Sequence, residues 1–451
     1  MTRARIAAAP VVTLVLCLAG CAQAPALPFR VVSAPPDDPF AFADAIVVAV
    51  ERDGELDPTT ERSFDPAATT FPVRGLSFGE RLLVRIEARA GGLVLGRGRS
   101  LPFDYRDPSQ APGPGAADVL VGTLGAFVTP IDGSLGSLLV APSLVVPSPR
   151  GAVIVTATTL LEYVAHAPDD GRATLATLAA LPPQRHGARW AFTANGLVGA
   201  GGASPGATSL TLAGEVLASA GLPPIEALAS LAPRPSAIAV ATDGSLLRID
   251  VGARGELGLE AVGAAPDLPF DPHLAAVTVL SNGTPRVFAL LVDGAHATLI
   301  DPDAGPVATH DLGSSRTGWT VAGIATQQAL VAGGRDATGS GVVYDDVRIL
   351  VVQAGTLAEA SPAPPHGEAR EGAGMIVFGD GLALLVGGRD IAGAAVASAE
   401  IIDIAVPPGD VAATRRLPFP SAAPVGAALL DRTLLVAGEG GLAIYVPPRG
   451  E

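Results

Sequence analysis

The apolar positions of this chain come in short runs bounded by Gly and Asp, as in Leu246-Leu247-Arg248-Ile249-Asp250, Thr298-Leu299-Ile300-Asp301, Glu400-Ile401-Ile402-Asp403 and Leu442-Ala443-Ile444-Tyr445. Runs this short between turn residues predict β-strands, not helices. One early stretch alternates strictly: Val84, Ile86 and Ala88 interleave with Arg85, Glu87 and Arg89. That period places apolar groups on one strand face and charge on the other. Gly91-Gly92 then supplies a hairpin turn before Leu93-Val94-Leu95 returns.

Over most of the chain the strand signals repeat. Arg185-His186-Gly187 precedes Gly201-Gly202, Arg316-Thr317-Gly318 precedes Gly333-Gly334, and Arg370-Glu371-Gly372 precedes Gly387-Gly388. From the Arg to the second Gly the separations are 17, 18 and 18 residues. Weaker copies keep the beat, with strands ending at Thr158-Thr159, Asp243-Gly244, Asp293-Gly294 and Gly438-Glu439. The steps from 159 through 202, 244, 294, 334, 388 and 439 are 43, 42, 50, 40, 54 and 51 residues, near the roughly 40 to 50 expected of propeller blades. The count is seven units, or six if one weak copy is not a blade.

This register resembles kelch repeats, and the resemblance covers about residues 114 to 447. It implies an all-β fold, a β-propeller built from four-stranded blades. The chain departs from the kelch pattern in aromatic residues. It has only four Tyr and two Trp, where kelch units carry one of each after the diglycine, and only three copies keep Gly-Gly. Ring closure is expected to pair a strand between Val119 and Val128 with the final strands between Leu434 and Val446, which removes exposed strand edges.

The start of the chain reads differently. Arg3 and Arg5 precede an apolar stretch from Ile6 to Leu16, followed by Leu18-Ala19-Gly20-Cys21. A positive end, a short apolar run and small residues describe a secretory signal peptide, and the run falls short of the ~20 residues of a spanning helix. The last four residues resemble the lipobox of bacterial lipoproteins. The resemblance implies cleavage after residue 20, lipidation of Cys21 and a tether over 21–27. Acyl chains would hold the protein to a membrane at about 0.8 kcal/mol per buried methylene. Ala22 resembles the residue of lipoproteins sorted to the outer membrane, so the expected location is the bacterial cell envelope. Both Cys residues, Cys17 and Cys21, lie at this end, so a processed chain would have no disulfide.

Between tether and propeller, residues 28–104 carry strand signals without the repeat and predict a small antiparallel β-sandwich, immunoglobulin-like or transthyretin-like. Residues 105–117 are rich in Pro and Gly and read as a linker, which leaves 118–447 for the propeller. Six Arg lie between Arg74 and Arg99. They are read as a solvated strand face paired with Glu80 and Glu87, in preference to a patch for acidic glycans or lipid headgroups.

Composition narrows the partners. The formal net charge is −15, which opposes nucleic-acid binding because phosphates need a basic surface. All 29 basic residues are Arg, which excludes Schiff-base and phosphate-loop lysine chemistry. Apolar residues make up 49% of the chain, yet after the signal no run approaches a membrane span.

No catalytic residue is assigned and no cofactor is expected; metal ligands are left open. Gly202-Ala203-Ser204-Pro205-Gly206 matches a hydrolase elbow in letters, but Pro205 follows the Ser and no helix pattern succeeds it. Asp301-Pro302-Asp303-Ala304-Gly305 resembles half a calcium loop and lacks the downstream Glu; Asp53-Gly54-Glu55-Leu56-Asp57 is a weaker case. The six His, at 166, 186, 273, 296, 310 and 366, show no ligand spacing. Copper-oxidase and sialidase propellers are disfavoured, the first by the missing Cys and the second by missing Asp-box turns. Arg185, Arg316 and Arg370 are read as bonding nearby backbone carbonyls, in preference to gripping an anion. Arg335-Asp336 and Arg389-Asp390 are read as turn residues paired locally. The expected function is a non-catalytic module that binds an envelope protein or glycan. The alternatives are a carbohydrate-acting enzyme, mutarotase-like or lyase-like, and a structural envelope protein.

Overall fold

The computed structural model describes residues 27, 29–33, 38–52, 55–73, 75–105, 117–131, 133–165, 173–267, 270–281, 283–353, 355–360, 367–379, 381–404, 410–411 and 415–448. The expected signal segment, Cys21 and residues 106–116 of the expected linker lie outside them.

Among the described residues, seven sheets of four or five strands follow one another along 144–180, 189–220, 225–264, 273–317, 320–359, 374–421 and 425–445, with Arg335–Asp336 added to the fourth and Phe127–Val128 to the seventh. The first strand of each sheet is innermost, and these seven strands contact one another in a closed circuit: Leu144–Ser148, Arg189–Thr193, Ile225–Ser230, His273–Ser281, Thr320–Ala325, Gly374–Val377 and Val425–Ala428. The protein is a seven-bladed β-propeller. In blade four the second and third strands merge into Thr284–Asp301, bent at Gly294, whose φ is +56°. Its first half pairs with His273–Ser281 and its second with Gly305–Thr317.

The apolar core is divided into seven clusters, each filled from two neighbouring blades. The strand Leu434–Gly438 shows how this is built. Leu434 and Val436 enter the cluster shared with blade six, while Leu435 and Ala437 enter the one shared with blade one. Successive side chains of a strand point to opposite faces, and here both faces are covered. That is why the central strands read as unbroken apolar runs instead of alternating.

Blade seven takes its outer strand from the other end of the chain. Phe127–Val128 pairs antiparallel with Gly441–Tyr445, Val128 opposite Ile444 and Phe127 opposite Tyr445. The expected closure is therefore made by its last two residues only. Ala117–Thr123, which the sequence assigns in part to the linker and in part to the propeller, belongs to the N-terminal sheet. Its Val119 and Val121 enter the N-terminal core, whereas Leu120 packs on the cluster between blades seven and one.

The N-terminal unit is all-β and curls one hydrogen-bonded sheet around a single core. The strand path is Phe29–Ser33, Ala117–Thr123, Leu93–Arg99, Arg81–Ala90, Ala45–Arg52 and Glu55–Phe64, with Phe103–Asp104 also on Arg81–Ala90. The pair of Phe29–Ser33 with Ala117–Thr123 is parallel, the other pairs antiparallel. Val84, Ile86 and Ala88 are fully buried, as the alternation predicts. The opposite face is not solvated as expected, because Glu87 is buried too. It accepts from Arg89 at 2.6 Å and Arg97 at 3.1 Å. Arg99 and Glu51 form a buried pair at 2.9 Å.

This face meets the propeller. Asp431 lies in the turn between Val425–Ala428 and Leu434–Gly438, and burial raises its carboxyl above the ordinary aspartate value, against hydrogen bonds from Thr433 and the charge of Arg99. The Gly125 amide donates to the Val446 carbonyl at 2.8 Å.

Removal of residues 434–451 is expected to abolish cooperative unfolding of the propeller, because two blade faces lose their cover at once. A circular-dichroism melt tests this; a truncated chain with a cooperative transition at the unaltered temperature would contradict closure.

Candidate functional site

The repeat motif sits on the propeller face where the chain runs into each innermost strand. Gly201 and Gly202 have φ of +74° and +95°, Gly333 and Gly334 +66° and +94°, and Gly387 and Gly388 +58° and +100°. A Cβ on Gly333 would come within 2.3 Å of the Arg370 carbonyl oxygen, and one on Gly387 within 2.5 Å of that of Ser421. Positive φ and backbone contact together require glycine. Gly187, Gly318 and Gly372 also turn at positive φ, between +64° and +72°.

Each repeat Arg is buried and uses Nη1 to donate to the carbonyl of the first glycine in its own diglycine. The distances are 2.6 Å for Arg185 to Gly201, 2.9 Å for Arg316 to Gly333 and 3.1 Å for Arg370 to Gly387. The remaining donors differ by blade. Arg185 Nε reaches Thr208 Oγ1 at 2.9 Å, Arg316 Nη2 reaches Asp346 at 2.9 Å, and Arg370 Nη2 reaches Glu400 at 2.6 Å. Arg316 also lies over the Tyr344 ring at 3.5 Å and the Trp319 ring at 4.5 Å. Asp346 and Glu400 each stand 30 residues after their Arg. All three copies hold an acid at this second register, but in the first that acid, Glu215, is exposed and Thr208, 23 residues after Arg185, bonds the guanidinium instead, so the pairing shows only in the structure.

At the axis the same face opens into a depression of about 510 Å³. Its wall comes from the starts of the innermost strands of blades one to four and seven. Small and apolar residues dominate it; four ionisable side chains join them, Arg189, Glu226, Asp271 and His273, and none of these is buried. His273 Nε2 lies 3.1 Å from Asp271 Oδ2, and the Gly318 amide donates to the same oxygen. The His273 hydrogen bond, with smaller help from the charges of His273 and Arg189 and against partial burial, holds the Asp271 carboxyl below the ordinary aspartate value. Asp293 accepts from the amides of Phe270 and Asp271, fixing this loop with the Phe270 ring exposed at the rim. Arg189, Glu226, Phe270 and Asp271 did not stand out in sequence, because no motif joins them; only the ring does.

The other sequence candidates lie elsewhere. Ser204 is exposed in a loop whose carbonyl accepts from Arg185, and no helix follows it. Asp303 is engaged by Arg234, Arg248 and Arg286, at 3.1, 2.7 and 3.5 Å, and Asp301 by Arg286 at 3.1 Å, so the half calcium loop is an arginine-bridged turn. Asp57 pairs with Arg52, and Asp53 lies outside the described residues, as do His166 and His366. Among the described residues no group of three or more His, Cys, Asp or Glu could hold a metal. Arg335 does not pair locally: it joins Glu371 at 2.8 Å and the Asp390 carbonyl at 3.0 Å, linking the loops of blades five and six. Asp336 does bond locally, and Ser340 and Thr338 lower its carboxyl to about 2.

Fold and site define a seven-bladed propeller with an open axial face and a small all-β unit on the opposite face. Solved structures similar to this chain include the β-propeller domain of Cps50 (Swd1) from Myceliophteria thermophila, 11% identical, over 68% of this chain and 97% of that one at a TM-score of 0.46. The WD40 repeats of RRP9 are 10% identical over 72% and 98%, and the WD40 domain of Neurospora crassa Pan2 is 12% identical over 73% and 96%, both at a TM-score of 0.47. No protein-family model and no curated protein matches the chain.

Arg370 and Glu400 side chains are both 0% exposed, so Arg370→Ala is expected to cost about 3–5 kcal/mol by taking the guanidinium from a buried carboxylate. Urea unfolding measures this. The lowered Asp271 value makes its contribution to stability full above the unfolded value near 3.8, and that contribution is lost as pH falls through the folded value. Asp271→Asn should therefore melt below the parent at pH 6 and converge with it at pH 2.

Proposed function

We propose that this chain is a lipid-anchored protein of the bacterial cell envelope whose kelch-like propeller is a non-catalytic binding module, with the axial face as its contact surface. The observation that carries this reading is the character of the axial depression. Most of its residues are small or apolar while polar atoms make up the larger part of the exposed wall, Arg189 and Glu226 are open to solvent with Asp271 and His273 half-buried, and Phe270 projects from the rim. The displacement of Asp271 is downward, away from the neutral range to which a general acid or base is tuned; a contact surface draws on exposed apolar side chains among unburied charges.

The anchor reading rests on Leu18-Ala19-Gly20-Cys21. The N-terminal unit lies on the face opposite the axial depression. A lipid at Cys21 would thus leave the depression facing away from the membrane that holds the protein, open to a protein or glycan of the envelope.

Cys21→Ala is expected to move the protein from the membrane fraction to the soluble fraction and to abolish palmitate incorporation; unaltered fractionation would refute the anchor. For the contact surface, a photo-crosslinking residue at position 270 is expected to capture a specific envelope partner in living cells, whereas the same residue at exposed Leu259 on an outer strand captures none. Equal capture at both positions, or at neither, would refute an axial contact surface.

A further inference from the structure

Large apolar side chains are left in solvent on outer strands of the propeller, among them Val216 and Leu259, and on loops of its axial face. Phe270 is 64% exposed and Ile391 69%, and Val140 and Val342 are also exposed. All four stand on loops of the axial face, from blades four, six, one and five. An exposed apolar side chain at the rim of a depression, here Phe270, marks an interaction site. Carboxylates are exposed on the same face. Glu226, on the wall of the depression, and Asp345, in the loop that carries Val342, are exposed and make no ion pair among the described residues.

The guanidinium groups of this face are largely engaged. Arg335 is held by Glu371, Arg389 donates to the Gly393 carbonyl at 3.0 Å, and Arg189 acts on Asp271. Within the depression two carboxylates, Glu226 and Asp271, stand against the single guanidinium of Arg189.

We infer that the axial face docks a segment of a protein partner that presents a Lys or Arg flanked by apolar side chains, an inference that rests on the binding reading above. The cation answers Glu226 at the mouth, and its apolar neighbours cover Phe270 and Ile391. A depression of about 510 Å³ admits one or two side chains and not a folded domain, so the segment enters tip first. An acidic segment or an anionic lipid surface would meet uncompensated carboxylates, and such like-charge contacts are strongly disfavoured.

The test uses the full chain and a random displayed-peptide library, with Glu226→Arg, Phe270→Ala and Ile391→Ala as variants. All three side chains are exposed, and a thermal melt checks that each variant remains folded. The expected result is enrichment of peptides with Lys or Arg beside Leu, Ile or Phe, whose affinity falls about tenfold in each variant. Enrichment of acidic or uncharged peptides at this face would overturn the inference and leave the binding reading standing. Cationic peptides bound equally by parent and variants would overturn it as well, as would the enrichment of no peptide. The photo-crosslinking experiment judges the binding reading separately: a partner captured at position 270 through a segment without a cation defeats this inference alone.

Discussion

A blade whose two faces are both apolar cannot stop at one neighbour. Leu434 and Val436 look toward blade six while Leu435 and Ala437 look toward blade one, and every central strand of the propeller is divided in the same way. The array is therefore stable only as a ring, because an open array would leave an apolar face at each end in water. Closure is where that requirement meets the chain ends. A strand of two residues, Phe127–Val128, completes blade seven, and contacts around it add to that short ladder. Leu120 packs into the adjoining cluster, and the Gly125 amide and the Val446 carbonyl bridge the joint. The N-terminal unit is thus a part of the closure as well as a neighbour of it.

The motif arginines solve a smaller problem set by the same geometry. A diglycine turn at positive φ brings backbone close to backbone and has no side chain to satisfy its carbonyls. A planar guanidinium with five donors can bond the glycine carbonyl and still reach a side-chain partner, Thr208, Asp346 or Glu400. Lysine, absent from this chain, has no such fork. The shared Nη1 bond repeats because the turn repeats, and the second partner varies because it lies on a strand that each blade builds for itself.

The same ring sets the electrostatics of its two ends. At the N-terminal side charges are buried and matched, as in Arg99 with Glu51 and Glu87 with Arg89 and Arg97. At the axial side they are open and only partly matched. These pairs lie within the N-terminal unit, where removing either partner strands a charge. Open carboxylates beside exposed apolar side chains are instead available to a molecule arriving from outside.

Much of the fold was legible in residue order alone. The Arg-x-Gly and Gly-Gly register marks three blades, the spacing of weaker turns marks the other four, and the continuous apolar runs announce strands covered on both faces. The signal is local: a turn needs its glycines, and a strand between two neighbours needs apolar side chains at consecutive positions. Residues 82–89 show where that reading stops. Their alternation is correct, yet only the packed structure decides that Glu87 and Arg99 are buried, because burial of the second face depends on what docks there. Likewise Ala117–Thr123 joins the first sheet because Phe29–Ser33 and Leu93–Arg99 supply its partners, a pairing across distant segments that no short window contains. The axial site is the extreme case. Arg189, Glu226, Phe270 and Asp271 belong to three blades and acquire a common surface only when the ring brings the starts of the inner strands to one axis. The sequence by itself determined the repeating unit, since each unit is specified by its own turns and strands; the tertiary structure alone decided which side chains face one another, since that depends on closure.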